Sequence, residues 1–177
     1  MNTAEKLAAT YLRLNGFLLL QHFTVFSGTS HNHVDLVGFR PANSKEIVFR
    51  KRLPRDPQFS NLLSAILRRD SERNPIGVIG EARSNRDRDT ISSEHVEYIR
   101  NFLGGVRPLR ITFCVATTDF HRDDDGLRVS LRYAYEWIQG RIEWMEERGR
   151  LTKTGSWELS EEFLGDLLSL RRIIGHR

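Results

Sequence analysis

The stretch from Ser30 to Phe39, SHNHVDLVGF, places His31, His33 and Asp35 on alternating residues ahead of an apolar run. Side chains in a strand alternate with a period of two, so these three side chains would share one face. Imidazole and carboxylate groups together are ligands that suit zinc or iron. The first question is therefore whether the stretch forms a histidine metal site or a strand with one important carboxylate.

The spacing resembles the opening of the HxHxDH motif of metallo-β-lactamases. Leu36 stands where the last histidine of that motif is expected, and the apolar residues continue as a strand instead of a ligand loop. We therefore interpret His31 and His33 as polar residues at the beginning of a strand. A zinc or iron hydrolase built on them is the alternative.

Asp35 needs a separate explanation, because aspartate disfavours the interior of strands and this one lies between Val34 and Leu36. One explanation is structural: the carboxylate accepts hydrogen bonds from the backbone or from an arginine. The other is functional: the carboxylate is a metal ligand held on a rigid strand. The residues around Asp35 leave both open.

A second acidic strand, IGVIGEAR, runs from Ile76 to Arg83. Glu81 and Arg83 are two residues apart at its end, so both side chains should point to one face where the strand leaves the core. Together with a strand aspartate, this pattern suits a phosphodiesterase that uses a divalent metal. Carboxylate oxygens hold Mg²⁺, and the neighbouring cation stabilises charge that develops on the phosphate.

The remaining pattern alternates helices with strands, which predicts an α/β layer structure. We expect a single domain over residues 1–177, with a core at about 3–118 and a helical extension at about 124–177. Periodicity and stop signals predict helices at 3–14, 59–69, 90–103 and 130–148, strands at 17–26, 33–39, 76–82 and 109–116, and a last helix around Phe163, Leu167, Leu170 and Ile174.

Asp35 and the triplet Glu81-Ala82-Arg83 resemble the motif of the PD-(D/E)xK nuclease superfamily, whose fold is called restriction-endonuclease-like. The start AEKLAATYLRLNGFLLLQHFTV is similar to the helix, Gly-Phe turn and strand that open its Holliday-junction resolvase and Mrr-type branches. The resemblance implies a mixed β-sheet flanked by helices. It also implies a DNA endonuclease, a hydrolase in which Asp35 and Glu81 bind Mg²⁺, with Mn²⁺ as a substitute.

The same resemblance implies a catalytic role for Glu5, which matches the acidic residue of the first helix in those branches. Glu5 lies at the border of the apolar stripe, from which its carboxylate could point towards the site. Asn2 and Glu5 also have the spacing of a capping box, which needs no metal. Both interpretations stay open.

The signature lysine of the superfamily is Arg83 in this chain. Arginine stays charged and prefers bidentate contacts, whereas lysine can change its pKa. Arg83 can therefore stabilise charge but is poorly suited to deprotonating water. The alternative hypothesis follows from this substitution: a catalytically inactive nuclease-like domain that binds nucleic acid or a protein partner.

Positive charge is concentrated between Arg40 and Arg73, where nine Lys or Arg face four acidic residues. This segment lengthens the connection between Asp35 and Glu81, and it would emerge beside the active edge of the sheet. Its cations could contact the phosphate backbone of DNA, or the segment could be an ordinary surface loop. The predicted nucleic-acid contacts are Arg50, Lys51, Arg52 and Arg55.

The composition is that of an ordinary globular protein, with 39% hydrophobic and 28% charged residues and a net charge of +4. No window is apolar enough for a transmembrane helix, and the single Cys114 cannot form an internal disulfide, so we expect a cytoplasmic protein. Tyr133, Trp137 and Trp144 form an aromatic line that we expect to pack against another helix or a second subunit. A homodimer is one such arrangement, and base stacking is the alternative.

Overall fold

The structure is a computed structural model that describes residues 2–27, 30–44, 47–48, 51–52, 54–83, 91–115, 119–123 and 126–147. The described residues form a mixed α/β protein. In chain order its elements are α1 (Thr3–Leu14), β1 (Leu18–Ser27), β2 (Ser30–Arg40), β3 (Ile47–Val48), β4 (Lys51–Arg52), α2 (Pro57–Leu67), β5 (Ile76–Arg83), α3 (Ser93–Phe102), β6 (Pro108–Cys114), β7 (Phe120–Asp123), β8 (Gly126–Ser130) and α4 (Leu131–Glu147).

Six of these strands form one mixed sheet in the order β1-β2-β5-β6-β8-β7. β1, β2 and β5 are antiparallel neighbours, β6 and β8 continue the sheet in parallel, and β7 pairs antiparallel with β8. β3 and β4 form a separate two-stranded ribbon. Because β5 and β6 are parallel, the connection through α3 is a crossover, which places the beginning of α3 after the end of β5 that carries Arg83.

One side of the sheet, which we call the α1 face, is covered by α1, α2 and α4. α1 begins at a capping box and presents an apolar stripe that includes Leu7, Tyr11 and Leu12, all buried. This stripe packs with alternate residues of β5, β6 and β8 and with the apolar sides of α2 and α4 in one core cluster. Most of the hydrophobic burial that stabilises the fold is therefore on this face.

The opposite side, the α3 face, has a smaller core. Val37 and Ile79 pack there with Val96 and Ile99 of α3. Ile79 and Glu81 are two residues apart on β5, so Glu81 points to the same face as Ile79. α3 begins at Ser92, whose side chain accepts from the backbone of His95. The candidate residues at the end of β5 therefore belong to the α3 face.

The predicted helices and main strands are confirmed, with differences of a few residues at their ends. The predicted helical extension at about 124–177 is wrong at its beginning, because residues 126–130 form β8 and pair in parallel with β6. The predicted elements also lacked β7 and the ribbon. These strands have two to five residues, too few to show an alternating pattern. The predicted last helix around Phe163 lies outside the described residues.

The aromatic line on α4 serves packing where the structure describes its rings. Trp137 makes an edge contact with Tyr11, with ring centroids 5.4 Å apart, and Tyr133 makes one with Phe120 at 4.6 Å. These contacts hold α4 against α1 and β7. Packing, which we preferred over base stacking, is confirmed for these two residues.

A buried carboxylate joins the helices of the α1 face. Asp56 has no exposed surface and caps α2 by accepting from the amides of Gln58 and Phe59. It also accepts from the hydroxyls of Tyr11 on α1, at 2.5 Å, and Tyr133 on α4, at 3.2 Å. Burial, followed by the Asp56 charge, raises the pKa of both tyrosines, so both remain donors.

Arg40, at the end of β2, is a fully buried cation. Its guanidinium donates to the carbonyls of Asn15, at 3.3 Å, and Ser71, at 2.7 Å, and it lies 5.1 Å from the centroid of the Phe17 ring. The Glu72 carboxylate lies 4.0 Å away. Burial lowers the pKa of Arg40 to about 10. The side chain ties the turn after α1 to the segment that precedes β5.

We expect Arg40→Lys to lower the free energy of unfolding by about 1 to 3 kcal/mol, because the single ammonium group of lysine cannot donate to both carbonyls that the guanidinium of Arg40 reaches. Denaturant unfolding measures this change. Arg73→Lys is the matched control, since the Arg73 side chain is 81% exposed and the substitution should leave stability unchanged. Equal stability of the Arg40 variant and the control would show that Arg40 is not a structural tie.

Candidate functional site

Asp35 and Glu81 lie on adjacent strands, as the sequence predicts. β2 and β5 pair antiparallel up to Leu36 and Gly80. Continuing this register by one residue sets Asp35 opposite Glu81. Side chains of opposite residues in an antiparallel pair are close neighbours. The two predicted metal ligands are thus positioned by one strand pair, at the point where its regular ladder ends.

The strand pair β1–β2 is interrupted at this same level. The neighbouring pairs on both sides are formed, but His22 and Asp35 do not pair, and His22 has a φ of 53°. Val34 packs on the α3 face and Leu36 on the α1 face, although residues two apart in a regular strand share a face. The side-chain alternation of β2 is therefore interrupted at Asp35. The direction of the Asp35 side chain does not follow from the regular pattern of the strand.

The Asp35 carboxylate accepts a hydrogen bond from the backbone amide of Ala82, at 2.9 Å. This amide lies just beyond the last ladder pair of β2 with β5, where a buried donor needs a partner. The structural explanation of Asp35 is therefore confirmed. It does not exclude the functional one, because a carboxylate has acceptor capacity beyond one hydrogen bond.

Glu81 and Arg83 share one face of β5, also as predicted. Glu81 is 4% exposed, and the Arg83 side chain is 14% exposed. Their charged ends form a salt bridge and hydrogen bond between Arg83 Nη2 and Glu81 Oε2. The pair places a guanidinium directly against one of the two candidate metal ligands.

Glu5 is not brought to this pair. Its carboxylate forms the capping box of α1, accepting from the Asn2 amide at 3.1 Å and from the Asn2 side chain at 2.6 Å. α1 covers the opposite face of β5, where Leu12 approaches Gly80. The capping interpretation of Glu5 is thus confirmed. His22 lies beside it, with its Nε2 3.8 Å from Glu5 Oε2.

No group of three or more His, Cys, Asp or Glu side chains among the described residues is arranged to hold a metal ion. Glu5, Asp35 and Glu81 therefore do not form a three-carboxylate centre. His31, His33 and Asp35 do not form such a group either. The two rings contact each other edge to face at 5.8 Å, and the Thr24 hydroxyl lies 3.2 Å from His33 Nδ1. Our interpretation of these histidines as polar strand residues agrees with these contacts.

The predicted nucleic-acid contacts fall in different environments. Lys51 and Arg52 form β4 of the small ribbon, and Arg50 lies outside the described residues. Arg55 has only 7% of its side chain exposed and pairs with Glu72 at 2.9 Å. It also donates to the Ser44 carbonyl and hydroxyl. The structure thus gives Arg55 a structural role, because a phosphate contact would have to break these bonds.

The position of Arg55 also explains why residue 16 is a glycine. Its guanidinium lies 2.6 Å from the position that a Cβ would take at Gly16, whose φ is +88°. A larger residue would both displace the cation and strain the backbone. Through this contact and Glu72, Arg55 holds the basic segment against the turn that follows α1.

His22 is a residue of this region that the sequence analysis missed. Histidine is enriched among the few residues with positive φ, but nothing in the local sequence marks this position as the interruption of a strand. The side chain is 54% exposed and lies beside Glu5 at the same level of the sheet as Asp35. Its conformation depends on the pairing of β1 with β2, which a local pattern does not contain.

Searches among protein-family models, curated proteins and solved structures found no match to this chain. Among the described residues, no helix is both long enough and apolar enough to cross a membrane.

We expect Asp35→Ala to lower the free energy of unfolding by about 1 to 3 kcal/mol, because it leaves the Ala82 amide without its acceptor. Asp35→Asn should cost less, since the amide oxygen of asparagine can accept the same bond. Denaturant unfolding of both variants measures the difference. Two equally stable variants would show that this hydrogen bond does not hold the end of the ladder.

Proposed function

We propose that the chain is a nuclease-like domain of the restriction-endonuclease-like fold, which hydrolyses phosphodiester bonds of DNA with a divalent metal ion. The mixed arrangement of β1, β2, β5 and β6 between α1 and α3 supports the fold. One observation carries the activity: the last ladder pair of β2 with β5, Leu36 with Gly80, is followed directly by Asp35 and Glu81 on adjacent strands, with Arg83 beside Glu81 on the same face. Two carboxylates next to a guanidinium suit phosphoryl chemistry.

The donor set agrees in part with the proposed metal. Asp35 and Glu81 offer hard carboxylate oxygens, the ligands that Mg²⁺ and Mn²⁺ prefer, and they would need water or substrate oxygens to complete the coordination. A bound divalent ion would supply an activated water and neutralise charge on the phosphate. Glu5 is not required in this proposal, because it belongs to the cap of α1.

The chain's own residues have separate tasks in this proposal. The Ala82 amide fixes the orientation of the Asp35 carboxylate. Arg83 remains charged and, held by Glu81, can donate to a non-bridging phosphate oxygen as negative charge increases. The burial of Glu81 reduces competition from water, which strengthens electrostatic contacts with the substrate.

The Arg83–Glu81 ion pair also favours a second candidate, a catalytically inactive domain that binds nucleic acid or a protein partner. The guanidinium occupies Oε2 of Glu81, an oxygen that a metal would use. An arginine retains its charge and does not leave by deprotonation. The pair would then replace the cation that a metal supplies, and the scaffold would keep only its binding role.

Cleavage of supercoiled, branched and single-stranded DNA with Mg²⁺ or Mn²⁺ tests the first proposal. We expect the wild type to cleave at least one substrate and to stop when EDTA removes the metal. Asp35→Asn should reduce the rate by about 100-fold or more, because it removes a charged ligand while keeping the acceptor for Ala82. Unfolding measurements on the same sample show whether the variant is folded.

Arg83→Lys decides between the two candidates. Lysine restores the usual group of the superfamily and is a weaker bidentate partner for Glu81, so we expect cleavage to be retained or increased. If the wild type is inert on all substrates, recovery by this variant would show a metal site that the arginine blocks. Continued inertness, together with no Mn²⁺ binding by calorimetry, would overturn the enzymatic proposal in favour of the binding domain.

The ribbon carries a separate prediction about DNA. If its cations contact phosphates, replacing Arg50, Lys51 and Arg52 with alanine should weaken duplex binding and reduce the slope of log K against log salt by about 0.9 for each lost contact. Fluorescence anisotropy at several salt concentrations measures both quantities. Unchanged affinity and slope would make the ribbon an ordinary surface.

A further inference from the structure

A groove of about 890 Å³ lies along the side of α3. Ser93, Val96 and Glu97 line it from the helix and are spaced by three and four residues, so they lie on one helical face. The groove continues past Gly104 and Gly105 at the end of α3 to the beginnings of β6 and β8. It is open to the surface.

The charged side chains of this groove are mostly arginines. Arg69, Arg107, Arg110 and Arg122 line it, against the single carboxylate of Glu97 among the described lining residues. Glu97 pairs within its own helix with Arg100, at 3.3 Å. Arg69 donates to the Pro75 carbonyl, at 3.1 Å.

The groove also has apolar lining between its arginines. Ile66, Leu67, Val106 and Leu109 contribute to it. An apolar lining with guanidinium groups fits a ligand that combines flat apolar surfaces with negative charge. Nucleotides have this character, because their bases have π faces and their phosphates are charged, and arginine can both pair with phosphate and stack on a base.

The groove reaches both faces of the sheet at the beginnings of β6 and β8, because Val96 belongs to the α3 face whereas Leu67 and Leu109 belong to the α1 face. α3 packs on the face of β5 that carries Ile79, and therefore also Glu81. Pro108, in the groove, pairs with Gly77, which is four residues before Glu81 on β5. Four residues of strand span about 13 Å.

We propose that this groove binds the backbone of a single nucleic-acid strand that extends from the Glu81–Arg83 site. The inference rests on the proposed action on nucleic acid and adds where the flanking nucleotides lie. Single-stranded nucleic acid is favoured over a duplex because the apolar lining between the arginines can contact unpaired bases. Arg107 and Arg122, both exposed in the groove, contact its phosphates.

The double variant Arg107→Gln/Arg122→Gln tests the groove. Binding of a labelled 15-nucleotide single strand is followed by fluorescence anisotropy in EDTA, so that cleavage does not interfere. We expect about a tenfold loss of affinity near 100 mM salt and a salt slope smaller by about 1.4, which is 0.7 for each of two lost contacts.

The matched control is Arg73→Gln/Arg132→Gln, which removes the same charge from two side chains that are 81% and 80% exposed elsewhere. This control should bind the strand with nearly wild-type affinity and slope. Equal losses of strand affinity in the two double variants would show that only the net charge of the protein matters, and this result would overturn the proposal. Because all four arginines are exposed, thermal unfolding should be unchanged, which verifies that each variant is folded.

Further outcomes separate this proposal from the nuclease proposal. If the groove variant loses strand binding and the wild type cleaves no substrate, the groove proposal is supported and the nuclease proposal is overturned. If the wild type cleaves DNA and the groove variant binds like the control, only the groove is overturned. A wild type that binds no oligonucleotide would also overturn it. Displacement of the strand by a mononucleotide at equal phosphate concentration would overturn it in favour of a small-anion site.

Discussion

The hydrogen bond from the Ala82 amide to the Asp35 carboxylate is the interaction on which the candidate site depends. It continues the contact between β2 and β5 beyond the last ladder pair, where β2 changes from one face to the other. The end of β5, with Glu81 and Arg83, is thereby held beside Asp35. An aspartate in the interior of a strand would ordinarily be unfavourable, but here it satisfies a buried backbone donor that has no acceptor on the backbone of β2 where the ladder ends.

Two buried polar centres stabilise the framework behind this site. Asp56 connects α1, α2 and α4 through tyrosine hydroxyls and the cap of α2, and Arg40 connects the turn after α1 to the segment before β5. Arg40 begins the basic segment, and Asp56 lies within it. Buried polar groups lower stability unless their partners are present, so these centres fix the segment against the core at two points. The connection can therefore carry exposed cations without loosening the sheet.

The two faces of the sheet have different tasks. The α1 face buries most of the hydrophobic core and includes the two polar centres. The α3 face has a smaller core and carries the Glu81–Arg83 pair, and α3 also borders the arginine groove. The larger core of the α1 face therefore supplies most of the hydrophobic stability, whereas the candidate site lies on the face with the smaller core.

Local features of this protein could be predicted from its sequence. Periodicity and caps predicted α1 and the main strands, and the Asp35 and Glu81 patterns predicted two adjacent acidic strands, because burial and side-chain direction repeat along short segments. Three features became clear only from the folded chain: residues 126–130 join the sheet, Glu5 caps α1 on the opposite face, and His22 marks a break in the ladder. These outcomes depend on which strands pair and which face a helix covers. Such long-range contacts are absent from any local window of sequence.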